Sequence, residues 1–201
     1  MTLPADYFAR IYAASDDPWG FRSRWYEQRK REVTLAALTR PRYRRAFEPG
    51  CSIGVLTQSL AARCDELLAT DLDAAAVSVA RAAMGENSHV RLSTLSVPAQ
   101  WPTGSFDLVV VSELGYYLDP ANLQVLLARA VESLEVGGTL LAVHWRHPVA
   151  DYPQTGDAVH EAVLAVPGLV PAVSHLEEDF RLDLLTRGPV ESPGRREGLV
   201  L

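Results

Sequence analysis

The chain is 201 residues long, 48% hydrophobic and 22% charged. These proportions fit a globular domain and exclude a collagen-like, coiled-coil or disordered chain. No apolar run approaches the roughly 18 residues of a membrane span. The opening MTLPADYFAR lacks the basic region and apolar core of a secretory signal. Two cysteines, Cys51 and Cys64, are too few for a disulfide framework or a cysteine-built zinc site, and no metal site is expected. A cytoplasmic enzyme or binding domain is the expectation that remains.

The elements follow in chain order. Residues 4–14 and 24–39 read as helices, the second with Trp25, Arg29, Val33 and Ala36 at roughly helical spacing and Pro41 as its stop. A short strand, 45–48, runs into Pro49-Gly50. Helix 54–63, a strand 67–70 ending at Asp71 and an alanine-rich helix 74–84 come next. Strand 90–93 precedes the clearest strand, 106–111, which is apolar nearly throughout, as a parallel strand buried on both faces must be. Helix 120–134, closed by Gly137-Gly138, leads to strand 139–144. Helix 155–166 is followed by two strands, 170–176 and 180–186, too close together for a crossover helix and so an antiparallel hairpin.

Alternation of strand and helix predicts an α/β fold. The expected form is a doubly wound, mostly parallel seven-stranded sheet of Rossmann-like kind, with an antiparallel C-terminal hairpin and an N-terminal helical lid. The expected organisation is one domain, 1–201, with a helical cap at 1–40, a core at 41–187 and an irregular tail at 188–201.

Charge is uneven. The stretch 22–45 holds nine basic residues against Glu27 and Glu32, or +7, which leaves −13 for the rest of a chain whose net charge is −6. A polyanion-binding arm is one reading of such a segment; a solvated helix face with an arginine-rich turn is the plainer one. There are 18 arginines and one lysine, a bias that composition alone can produce.

The loop after the first strand reads Glu48-Pro49-Gly50-Cys51-Ser52-Ile53-Gly54. Small residues there let the backbone approach a ligand, and the following helix N-terminus offers free N–H groups. A dinucleotide loop would be G-x-G-x-x-G. Here the pattern is E-x-G-x-S-x-G, and Glu48 would repel a pyrophosphate but suit a cationic amine. Asp71, 21 residues after Gly50, can accept the two hydroxyls of a ribose. An acid for an amine, a tight turn and an acid for a ribose describe S-adenosylmethionine better than a nicotinamide dinucleotide.

With EPGCSIG, the acid in LLATDLD, the strand GSFDLVVVSE and GGTLLAVHW, the chain resembles the class I S-adenosylmethionine-dependent methyltransferases from about Phe47 to Thr186. Ser52 stands where that family usually has a glycine. DPWGFRSRWYEQRKR, EPGCSIG and SELGYYL resemble, more narrowly, the rhizobial nodulation N-methyltransferases, which act on an amino sugar. The resemblance implies S-adenosyl-L-methionine as cofactor and methyl transfer to a small-molecule acceptor, an amino sugar or amine.

The expected cofactor residues are Glu48, Gly50, Cys51, Ser52, Gly54, Asp71, Leu72, Leu95, Ser96 and Ser112, with Trp25 and Tyr26 from the N-terminal aromatic cluster. Ser96, or an amide near it, takes the place of the acid that usually follows the third strand. Glu113, at the end of the fourth strand, is a candidate base or acceptor-holding group. His144, at the end of the fifth, and Tyr116 complete the expected catalytic set. Two other readings stay open: an RNA or protein methyltransferase that holds a polyanion on segment 22–45, and a non-catalytic S-adenosylmethionine binder. The oligomeric state is not legible.

Overall fold

The computed structural model describes residues 1–200. Seven strands form one sheet: β1 (Tyr43–Pro49), β2 (Cys64–Asp71), β3 (Val90–Thr94), β4 (Phe106–Ser112), β5 (Leu134–Trp145), β6 (Leu169–Leu176) and β7 (Phe180–Arg187). Their spatial order is β3-β2-β1-β4-β5-β7-β6. Neighbours are parallel from β3 to β5. β7 runs antiparallel between β5 and β6, as the short link between the last two strands requires. The order reverses between β1 and β4, so the C-terminal ends of these two strands open a crevice where ligands bind in such sheets.

Helices α1 (Ala5–Ala14), α2 (Trp25–Ala37), α3 (Val55–Ala61), α4 (Ala74–Met84), α5 (Pro120–Ser133) and α6 (Gly156–Leu164) flank the sheet. A one-turn helix, α7 (Pro193–Arg196), interrupts the otherwise irregular C-terminal segment. Strand alternation sorts the core into two faces. Val109 and Val111 of β4 join Phe8, Leu123, Leu126 and Val159 on one side. Leu108 and Val110 join Leu38, Leu60 and Phe180 on the other. A strand covered on both faces has no polar side to show, which is why β4 reads as an unbroken apolar run.

The sequence reading needs one correction at α5. The helix stops at Ser133, and Gly137-Gly138 lies inside β5 instead of capping a helix. The ladder passes from Phe106↔Leu134 to Leu108↔Thr139, so residues 135–138 bulge out of register. Arg40 donates to Gly137 O at 2.6 Å, and Ser105 donates to Glu135 at 3.0 Å. These contacts hold the bulge. No helix among the described residues is long and apolar enough to cross a membrane.

Candidate active site

The loop after β1 turns on left-handed backbone. Gly50 has φ +76° and Ser52 φ +49°. A Cβ on Gly50 would come within 3.2 Å of Leu114 Cδ1. A non-glycine residue in this conformation is strained, and Ser52 is held there by two contacts. Its N–H donates to Asp71 Oδ2 at 2.8 Å, and its hydroxyl lies 2.6 Å from Tyr12 Oη. Asp71 accepts a second backbone bond at Oδ1, from Asp73 N–H at 3.0 Å. Burial raises its pKa while those amide bonds work the other way. A carboxylate offers about four acceptor positions, so Asp71 keeps capacity for a ligand in the groove.

That groove is lined by Gly50, Ser52, Asp71, Leu72, Leu95 and Ser96 together with Tyr12, Trp19 and Phe21. Ser96 N–H is already committed to Gln100 Oε1 at 2.8 Å, so only its side chain is open to a ligand. A second hollow continues behind Gly50, lined by Glu48, Cys51, Ser112, Lys30 and Arg31. Glu48 is buried, accepts from Thr57 Oγ1 at 2.7 Å, and is pushed up to about 8, chiefly by burial. Gly54 faces α4: a Cβ there would meet Ala80 Cβ at 2.8 Å. Its role is close helix packing. A strand-end acid, a half-buried glycine at the turn and a buried carboxyl behind it fit the ribose, the reacting centre and the amino-acid moiety of S-adenosylmethionine.

A third cavity opens on the other side of Glu113. Its walls are aromatic: Trp19, Phe21, Tyr26, Tyr116, Tyr117, Trp145 and Tyr152, with Glu27, Lys30 and Asp179 among them. Trp19, Phe21, Glu113 and Tyr117 line both this cavity and the groove. Glu113 also stands in left-handed conformation, φ +54°. Such strain gathers at functional sites. Lys30 Nζ donates to its Oε1 at 2.9 Å, the Tyr116 hydroxyl donates to its Oε2, and Trp145 N–H donates to Oε2 at 3.3 Å. A carboxylate offers about four acceptor positions, so one remains.

Several expected residues stand elsewhere. His144 is fully buried and lines neither the groove nor the aromatic cavity. Its side chain points to the interior face of β5, where Gly115 and His160 occupy both ring nitrogens, so it cannot meet an acceptor. Trp25 is 66% exposed and lines none of the three spaces. Tyr26 lines the aromatic cavity, not the groove, with its ring edge-on to Trp145 at 5.4 Å. The aromatics that border the groove from the N-terminal segment are Phe8, Tyr12, Trp19 and Phe21. Sequence reasoning missed Lys30 and Arg31 as site residues, because they sit in a basic run that reads as surface.

Most of that run's arginines have partners within the chain. Arg29 pairs with Glu177 at 2.6 Å, and Arg31 donates to Phe21 O at 2.7 Å. Arg42, Arg44 and Arg45 pair with Asp65, Glu135 and Glu66. Among the described residues no cluster could hold a metal ion.

Residues 6–166 match the family model described as nodulation protein S (NodS). The chain belongs to the nodulation protein S family. Among its NodS relatives, nodulation protein S of Rhizobium tropici is 30% identical over 130 residues, 64% of this chain and 55% of that protein. The matched stretch thus spans about half the relative's own length. The crystal structure of N-methyltransferase NodS from Bradyrhizobium japonicum WM9, in complex with S-adenosyl-L-homocysteine, superposes with a TM-score of 0.82 at 22% identity, over 92% of this chain and 98% of that one. It shows the same methyltransferase fold. A Pseudomonas syringae protein described as a candidate methyltransferase is 46% identical, over 82% of this chain and all of its own, with a TM-score of 0.73.

Proposed function

We propose that this chain is an S-adenosylmethionine-dependent N-methyltransferase whose acceptor is a small amine, in the first instance an amino sugar. It works as one domain, with residues 1–40 capping a core of 41–187. The observation that carries the reading is the place of Glu113. It is the one carboxylate at the junction of the Asp71 groove and the aromatic cavity.

S-adenosylmethionine, when bound, supplies an electrophilic methyl on a sulfonium. Asp71 accepts the ribose hydroxyls, and Glu48 faces the ammonium of the amino-acid moiety. Glu113 uses its remaining lone pair to accept an N–H of the neutral acceptor amine, which turns the nitrogen lone pair toward the groove. It also takes the proton that the methylated nitrogen gives up. The aromatic walls exclude water and offer ring faces to the apolar face of a sugar and to the positive charge that develops on nitrogen. The S-adenosyl-L-homocysteine bound in the Bradyrhizobium NodS structure and membership of its family support the choice of cofactor.

The test is transfer of a labelled methyl group to a panel of amino sugars, simple amines and RNA. Labelled amine products with the wild type, and Glu113→Gln that keeps cofactor affinity within a few-fold while turnover falls, are the expected results. Labelled RNA with no labelled amine would overturn the acceptor class.

A further inference from the structure

Below the acceptor cavity lies a line of buried polar groups that the chemistry above does not use. Gly115 N–H donates to His144 Nε2 at 3.0 Å. His144 Nδ1 lies 3.2 Å from His160 Nε2. His160 Nδ1 lies 2.6 Å from Asp183 Oδ2, and Arg181 Nε donates to the same oxygen at 2.8 Å. Both imidazoles are sealed from solvent, and Asp183 is 1% exposed. Strand parity assembles the line. His144 on β5 and Asp183 on β7 point to the face that α6 covers, and α6 supplies His160.

The direction of every bond is fixed by its two ends. A backbone N–H can only donate, so His144 Nε2 is bare and its proton sits on Nδ1. That proton is given to His160 Nε2, which leaves the His160 proton on Nδ1, facing a carboxylate. Each ring is neutral and has a single tautomer. Burial holds His144 well below the usual histidine pKa, and His160 and Lys30 add to the effect.

The far end of the line is Gly115, the first residue of the 3-10 turn Gly115–Tyr117. There is no slack at this residue: a Cβ would come within 2.5 Å of Val159 Cγ1 and 3.0 Å of His144 Nε2. The next residue is Tyr116. Its ring stands edge-on to His144 at 5.3 Å, and its hydroxyl donates to Glu113. The 3-10 turn therefore transmits the position of a buried ring to the carboxylate at the site. We infer that the Asp183–His160–His144 line is a positioning device that sets Tyr116, and through it Glu113, in the geometry that receives the acceptor. His144 is thus a positioning residue, not a base. The inference rests on the proposed acceptor site for its kinetic consequence, but its structural part can be read without turnover.

The experiment has three measurements on the full chain. Nitrogen-15 spectra of the histidines should show His144 and His160 both neutral with the proton on Nδ1. A His144 protonated on Nε2 would overturn the inference. In His144→Gln and His160→Gln, the labelled Tyr116 ζ-carbon resonance should move, while S-adenosylhomocysteine binds within about twofold of wild type. An unmoved Tyr116 in both folded variants would overturn it. Turnover on the amine acceptor should fall about 10- to 100-fold, the scale of a small misplacement at a reacting centre. Adding Tyr116→Phe to either variant should then cost much less than it costs in the wild type. Full additivity would mean that the line only packs. If one glutamine variant does not fold, the other carries the same three readouts. A wild type without amine transfer would sink the proposed function, and the tautomers and the Tyr116 shift would then still decide whether the line positions the turn.

Discussion

Lys30 Nζ lies 2.9 Å from Glu113 Oε1 and 3.1 Å from the Glu27 carboxylate. Lys30 is the chain's only lysine and is 5% exposed. Burial opposes its charge, and Glu113 and Glu27 overcome that and raise the ammonium's pKa. Glu27 is the weaker partner: burial raises its pKa, against the pull of Lys30. The pair fixes the Glu113 carboxylate at the edge of the aromatic cavity.

Lys30→Met leaves Glu113 and Glu27 without their cation. Removing one partner of a buried pair costs about 3–5 kcal/mol, so thermal unfolding should shift down by several degrees. With no cation on its Oε1, Glu113 loses a contact that fixes its carboxylate, so turnover on the amine acceptor should fall about 10- to 100-fold. Unchanged turnover in a folded variant would show that Lys30 does not hold Glu113 in place.

Asp71→Ala tests the cofactor groove. The variant removes the two oxygens proposed to accept the ribose hydroxyls and also frees Ser52 N–H and Asp73 N–H, so the loop loses its anchor. Loss of charged hydrogen bonds at this scale weakens binding by about 1.5–3 kcal/mol. Calorimetry with S-adenosylhomocysteine should show a Kd roughly tenfold higher or more. Equal affinity would remove Asp71 from the site.

The sheet and the groove were legible because their signals are local. Apolar runs mark buried strands, and Glu48, Gly50 and Asp71 sit at fixed distances from strand ends. The acceptor side was less legible. On α2 the sequence shows Trp25, Arg29, Val33 and Ala36 at helical spacing and reads the basic residues as a solvated face, whereas the structure buries Glu27, Lys30 and Thr34. The rule that charge faces water turned the helix the wrong way, because its charges meet each other and Glu113 at the edge of a cavity. His144 was misplaced for a related reason. Its position at a strand end is the same as that of a catalytic residue, and only strand parity with Asp183 and the packing of α6 show that it points inward. The C-terminal limit of α5 failed on its glycines, which serve a bulge and not a cap.

The N-terminal segment gives a prediction of its own. Thr2 N–H and its hydroxyl both donate to Asp119 Oδ2 at 2.9 Å, and Asn122 Nδ2 donates to Thr2 Oγ1 at 2.8 Å. Leu3 N–H donates to Tyr117 O at 2.9 Å. These bonds strap α1 across the groove, where Phe8 and Tyr12 form one wall. Deletion of residues 1–14 should leave a folded sheet with faster release of S-adenosylhomocysteine and poor turnover. Stopped-flow release at the wild-type rate would show that the strap does not close the groove.

Glu48 gives the clearest dependence on pH. Its carboxyl is buried, close to one hydroxyl, and titrates at about 8 in place of the usual 4.5. The folded chain therefore holds a proton that the unfolded chain releases between pH 4.5 and 8. Stability falls as pH rises through that window, because the unfolded state binds fewer protons there. Glu48→Gln should flatten this slope in urea titrations run from about pH 5 to about pH 8. Cofactor binding carries the opposite sign. The ammonium of S-adenosylmethionine favours the ionised carboxylate, so binding near neutral pH should expel a proton to the buffer. The observed heat should change with the ionisation enthalpy of that buffer, and affinity should rise as pH approaches about 8. In Glu48→Gln the proton release should vanish and the affinity should drop, since a charged hydrogen bond is lost. Proton release that persists in the glutamine variant would mean that another carboxyl meets the ammonium, and Glu27 in the same hollow, whose pKa burial also raises, would be the residue to substitute next.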